Sequence, residues 1–378
     1  MTSYSRSGRP RRGRGWASAT RKARLPLLVI AAALLLAIAG IAPIVAGIFG
    51  GSRGSAESNG LGPAPSGLYA VVVREGEVED IVVAFEATTG EAREVARIAH
   101  LPGYGAIGAV SPDGELLAVV VADAGSIARP GASLLVINLE SGLVERRATG
   151  VDPLQPPVWT PDSRAVVTAR QSGDGPGVTV SLLRVPAAGG PEDQLVIFNN
   201  VLGAFPFAVG RDGSLFSVVI DSRGSTVYGG NQEVVRLSGA ITRDWRLSPD
   251  GASVAFIEAD TLGGLRYRQR VVSLVAGTAA AQLPEAVGQQ LGVAWNPVDG
   301  RPRFGLDPVP LTGERAAGQR AGGFDLPLAF SPDGTALAVQ AWDGESFADP
   351  GEMRLALLVG DRRVLLPSAT RFVGWSPR

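Results

Sequence analysis

The chain of 378 residues has no cysteine and a single histidine, which excludes disulfides, thiolate nucleophiles, Cys-ligated zinc and a His-rich metal site. Its formal charge of −1 hides a division: the first 25 residues hold eight basic side chains and no acid, leaving 27 basic residues against 36 acids for everything after. An acidic body of this kind argues against nucleic acid as a partner.

Residues 1–25 form a basic tail (Arg6, Arg9, Arg11, Arg12, Arg14, Arg21, Lys22, Arg24). Residues 26–49 follow without a charged side chain and are almost wholly aliphatic. At about 1.5 Å per residue this run is long enough to cross a hydrocarbon core of about 30 Å as a single transmembrane helix. The basic flank places the tail in the cytoplasm, beside lipid headgroups, and everything beyond the helix outside the cell membrane. A cleaved signal peptide is the competing reading, but its apolar region runs to only about 7–15 residues and no clean cleavage site follows. Residues 50–66 (GGSRGSAESNGLGPAPS) read as a flexible linker.

The remainder, 67–378, repeats itself. Apolar-x-Pro-Asp-Gly occurs as Val110–Gly114, Leu247–Gly251 and Phe330–Gly334. Looser copies start at Trp159, Val209, Trp295 and Trp375; the Val209 copy lacks the Pro, the Trp295 copy has an extra residue and the last is truncated. The seven apolar anchors lie 49, 50, 38, 48, 35 and 45 residues apart. Pro sets φ near −65°, Asp bonds its own backbone two residues on and Gly supplies φ > 0, so each phrase makes a tight turn by itself. Aliphatic runs follow the turns at 116–121, 165–169, 215–220, 253–257 and 336–341. Third strands are expected at 133–138, 178–185, 271–275 and 354–359, and fourth strands at 194–198 and 363–366. Short strands at a period of about 35–50 residues predict an all-β fold, a β-propeller. The anchors predict seven blades; the third and fifth are short and poorly patterned, which leaves six as the alternative count. Three strands near the start (68–73, 81–85, 92–98) lack an inner strand, and the chain ends directly after one (371–375), so joining the two closes the ring.

The Ser-Pro-Asp-Gly turns preceded by Trp or Phe resemble the TolB-like, WD-repeat-like propeller repeats of bacterial extracytoplasmic proteins, over roughly residues 67–378. The resemblance implies the propeller fold and an extracytoplasmic location; the motif it rests on is structural.

Motifs for chemistry are sparse. His100 falls between the closing blade and the first repeat and reads as a solvated loop residue. Gly50–Gly54 matches a nucleophile-elbow pattern inside the linker, and Gly103–Gly108 matches a dinucleotide fingerprint with a strand after it where a helix is required; both are chance. One series stands out. Asp123, Asp260 and Asp343 each lie eleven residues after a motif Pro, with Asp221 and Asp307 at +10 and Asp174 at +13 from the equivalent positions. These six acids sit where second strands run into their outer loops, as turn residues or as an acidic ring at the channel mouth that binds a basic segment or a divalent cation such as calcium. No cofactor is otherwise expected. The reading of the whole is a membrane-anchored binding or scaffold module for an external protein, peptide or glycan. The alternatives are a propeller hydrolase or lyase using carboxylates or a divalent cation at the channel mouth, or a transmembrane sensor subunit.

Overall fold

The structure is a computed structural model; it describes residues 67–377 apart from 128, 174–176, 239–240, 261–265, 275–289, 307–322, 347–348 and 361. The tail, the apolar run 26–49 and the linker lie outside the described residues. Among those described, every regular element is a strand. The first three are β1 (Tyr69–Arg74), β2 (Glu79–Glu86) and β3 (Ala92–Ala99). Next come β4 (Ile107–Val110), β5 (Leu116–Ser126), β6 (Arg129–Asn138) and β7 (Val144–Val151), then β8 (Val158–Trp159), β9 (Ala165–Ser172), β10 (Val178–Pro186) and β11 (Asp193–Val201). These are followed by β12 (Gly203–Val209), β13 (Leu215–Asp221), β14 (Gly224–Gly229) and β15 (Gln232–Ser238), then β16 (Ile241–Leu247), β17 (Ser253–Asp260) and β18 (Arg266–Ser273). The last are β19 (Gln290–Trp295), β20 (Pro302–Leu306), β21 (Phe324–Phe330), β22 (Ala336–Trp342), β23 (Met353–Val359), β24 (Arg362–Leu366) and β25 (Arg371–Ser376).

Sheets follow the chain as antiparallel meanders: β4 to β7, β8 to β11, β12 to β15, β16 to β18, β19 with β20, and β21 to β24. The exception is the sheet ordered β25-β1-β2-β3. There the last strand of the chain pairs with the first, Tyr69 opposite Ser376 and Ala70 opposite Trp375, as the complementary ends require. The fold is an all-β propeller. Six of its sheets are blades of three or four strands, the lower of the two counts expected from the sequence, and the sheet of β19 and β20 has two strands among the described residues.

Apolar runs are continuous in the second strands because those strands are covered on both faces. In β5, Leu117, Val119 and Val121 pack on Val71, Val73 and Val82 of the closing sheet. Their alternates Ala118 and Val120 pack on Trp159, Val166 and Val185 of the next sheet. A second interface of this kind joins β1 and β2 to β22 and β23 through Val72, Phe85, Ala338 and Leu357, so the closing sheet is buried on both sides.

The motif turns are built by local chemistry. Ser111 Oγ donates to Asp113 Oδ1 (2.6 Å), the Gly114 N–H to the Ser111 carbonyl (2.8 Å) and the Glu115 N–H to Asp113 Oδ1 (3.0 Å). Gly114 takes φ 74°, as the turn requires. Ser248 with Asp250, Ser331 with Asp333 and Thr160 with Asp162 repeat the hydroxyl–carboxylate bond. Ser163 holds the glycine position at φ 60° and accepts the N–H of Asp113 on the neighbouring turn (3.1 Å). The Trp anchors lock sheet to sheet with one recurring bond. Trp159, Trp295 and Trp375 donate their indole N–H to the carbonyls of Ala109, Arg246 and Ala329, each the residue before the preceding sheet's anchor (2.7, 2.9 and 3.1 Å).

Hydrogen bonds from their turn neighbours hold the Asp162, Asp212, Asp250 and Asp333 carboxyls below the ordinary carboxylate range: a side-chain hydroxyl first (Thr160, Ser214, Ser248 and Ser331), then a backbone N–H. A depressed folded-state value stabilises the fold above the unfolded Asp value of about 3.9, and that contribution disappears as pH falls through the folded values. The melting temperature is therefore expected to stay level on the acid side down to about pH 4 and to drop below it. A thermal series that remains flat to pH 2 contradicts this account of the turns.

Candidate functional site

Successive strands reverse direction, so the motif turns gather on one face of the propeller and the loops between second and third strands on the other. On the turn face an open depression of about 420 Å³ lies where the turns of four successive sheets meet. Pro112, Trp159, Pro161, Leu247 and Pro249 supply apolar walls, and Arg211 is the one charged residue lining it among the described residues. The nearby motif acids are occupied within their own turns: Asp113, Asp162 and Asp250 accept from the hydroxyls of Ser111, Thr160 and Ser248, and Asp212 accepts from Ser214. Arg211 is exposed and has no hydrogen-bond or ion-pair partner among the described residues.

The acid series lies on the opposite face. Asp123 sits at a bulge in β5, where its Oδ1 accepts from Ser133 Oγ (2.9 Å) and its Oδ2 from Arg146 (2.6 Å), tying three strands of one sheet together. Asp221 ends β13 and accepts from the Arg223 guanidinium (2.7 Å) and backbone N–H (2.7 Å); the Arg223 side chain is the main cause holding its carboxyl below the usual range. Asp343 follows β22 and accepts the Glu352 N–H across its own hairpin (2.7 Å). Asp260 ends β17 with its backbone paired to Arg266. Asp174 and Asp307 lie outside the described residues. Each of the three carboxylates with described side chains thus has partners within its own sheet. Among the described residues no three acids or histidines are grouped so that they could hold a metal ion.

His100 is a correction to the sequence reading. Its side chain is buried (1% exposed), and its Nε2 lies 3.1 Å from Oδ1 of the equally buried Asp80. Its Nδ1 lies 2.9 Å from the Leu101 carbonyl. Asp80 also accepts the backbone N–H groups of Gly76 (3.0 Å) and Ala106 (2.6 Å). Arg371 on β25 donates to the Ala106 carbonyl and to Glu75, while the Glu75 N–H donates to Thr370 Oγ1 (3.0 Å). These groups join the closing sheet, its C-terminal strand and the start of β4. No local pattern signals this, because His100 and Asp80 meet only when β2 and β3 pair.

No protein-family model matches the chain, and no curated protein matches it in sequence. Solved structures do match. Prolyl oligopeptidase B from Galerina marginata aligns at 13% identity and a TM-score of 0.53, over 80% of this chain and 49% of that one. A prolyl endopeptidase aligns at 16% identity and a TM-score of 0.52, over 81% and 49%. TolB from Acinetobacter baumannii aligns at 13% identity and a TM-score of 0.49, over 82% and 66%. The chain spans about half the length of the two peptidases. At these identities what the likeness shows is the β-propeller fold.

Proposed function

We propose that the chain is a membrane-tethered, extracytoplasmic binding module whose propeller receives a peptide segment of a protein partner on its turn face. The turn-face depression carries this reading: an open site, more apolar than polar, edged by four motif turns, with Arg211 the one charge among its described lining residues. The carboxylate-based hydrolase or lyase has less support, since the described acids of the series are engaged by Arg146, Arg223 and the Glu352 N–H. Random-peptide phage display against the full chain is expected to enrich a consensus that binds in the micromolar range. Failure to enrich any sequence over a bare-nanodisc control contradicts it.

The tether and the external location rest on the uncharged length of residues 26–49 and their basic flank. Protease added to intact cells, or to spheroplasts where an outer membrane is present, should digest the propeller; a protected C-terminus contradicts the topology. We also infer that β19 and β20 are the inner half of a seventh blade. Trp295 anchors there as Trp159 and Trp375 do, and Asn296 to Gly300 closes the equivalent turn with a 3.0 Å backbone bond.

A further inference from the structure

The repeat is broken at one informative place. The residue before the motif Asp is Pro in four copies, at Pro112, Pro161, Pro249 and Pro332; the Trp295 copy keeps Pro297 with Val298 inserted before Asp299, and the copy that starts at Val209 has Arg where the Pro would stand. Proline presets φ for this turn, so any other residue there gives up some local order. Its replacement by Arg211 puts the one lining charge among the described residues between prolines of the flanking turns. A sequence that departs from its own structural rule without a local gain marks a functional position.

The chemistry at this position is specific. A guanidinium offers a planar fork of donors suited to a carboxylate, and Arg211 makes no hydrogen bond or ion pair among the described residues, although its charge acts on the Asp250 carboxyl. Asp113, Asp162, Asp212 and Asp250 accept hydroxyl bonds from Ser111, Thr160, Ser214 and Ser248, and Arg211 forms no close ion pair with them. The walls beside it, Pro112, Trp159, Pro161, Leu247 and Pro249, suit apolar side chains. We infer that the cavity takes an acidic peptide segment, an Asp or Glu side chain flanked by apolar residues, and that Arg211 selects its carboxylate. This rests on the reading of the chain as a peptide-binding module. Because the body as a whole is acidic, the attraction is local to the cavity, and Arg211 provides discrimination where net charge would not.

The test uses the full chain in nanodiscs and positional-scanning pools of end-capped hexapeptides with Asp or Glu, Asn or Gln, or Lys fixed at one position. The wild type is expected to retain the acidic pools on the order of 10-fold or more above the amide pools, the usual effect of one charge-assisted bond. Arg211→Gln should erase that preference and Arg211→Lys should keep part of it. Arg211→Pro restores the residue of the other turns, so it should melt at the wild-type temperature or higher while losing the acidic preference, which separates lost binding from lost folding. Equal retention of acidic and amide pools by the wild type overturns the inference and leaves the binding-module reading standing. Retention of no pool overturns both. An acidic preference that survives in Arg211→Gln overturns the role of Arg211.

Discussion

Removing residues 370–378 is expected to leave a chain that aggregates or melts many degrees below the wild type. The deletion takes away β25, which forms the inner strand of the closing sheet and pairs with β1 along its length. It exposes the hydrogen-bonding edge of β1 and uncovers Ala70, Val72 and Phe85, which pack with Trp375 in one buried cluster. A milder version is Trp375→Ala. Trp375 is 6% exposed and also loses its bond to the Ala329 carbonyl. Truncating a buried Trp costs about 3–5 kcal/mol, a large share of a typical stability of about 5–15 kcal/mol. Thermal unfolding of both variants measures this, and an unchanged melting temperature for the deletion contradicts closure by the chain ends.

Asp80→Ala should be the next most damaging change. It strands the Ala106 and Gly76 N–H groups and the buried face of His100, all of which have Asp80 as partner. A buried donor left without an acceptor costs about 1–3 kcal/mol, and breaking a buried pair about 3–5 kcal/mol. For a domain of this size that lowers the melting temperature by roughly 5–8 °C. Asp80→Asn keeps the size and one acceptor oxygen and should lose less. A melting temperature for Asp80→Ala within about 1 °C of the wild type contradicts the role assigned to this cluster.

How much of the fold the sequence reveals follows from how local each feature is. The Pro-Asp-Gly turns are specified by four or five consecutive residues, and Ser111, Asp113 and Gly114 make the bonds their chemistry suggests. Trp anchors and aliphatic second strands were equally legible, because burial on both faces leaves a continuous apolar run in β5, β9 and β22. Outer strands were legible in part: 92–98, 194–198 and 363–366 fall within β3, β11 and β24, whereas β7 and β15 were not read. In β7 the sequence VERRATGV exposes Glu145, and in β15 QEVVRLS also presents a polar pattern, so neither reads as a strand from hydrophobicity. Inner strands β12 and β21 contain Pro206 and Pro327, which argue against a central strand. They are tolerated because an inner strand pairs on one side only, and each proline sits next to a register shift.

The candidate site was legible only in fragments. The missing Pro before Asp212 is visible in the sequence, but its meaning depends on three neighbouring turns that place Pro112, Trp159 and Pro249 around Arg211. The acid series had a regular spacing because it follows the strand ends, the same spacing that gives Asp123, Asp221 and Asp343 partners within their own sheets. Asp80 and His100 carried no signal at all, being twenty residues apart and joined by strand pairing.

The most direct test of the binding reading is a hydrogen-exchange footprint of the full chain with and without a peptide enriched by phage display. The account predicts slowed exchange in segments 111–114, 158–163, 208–213 and 247–251, the turns that surround the cavity. Protection confined to the opposite face, around Asp123, Asp221 and Asp343, or to the outer strands, would contradict it.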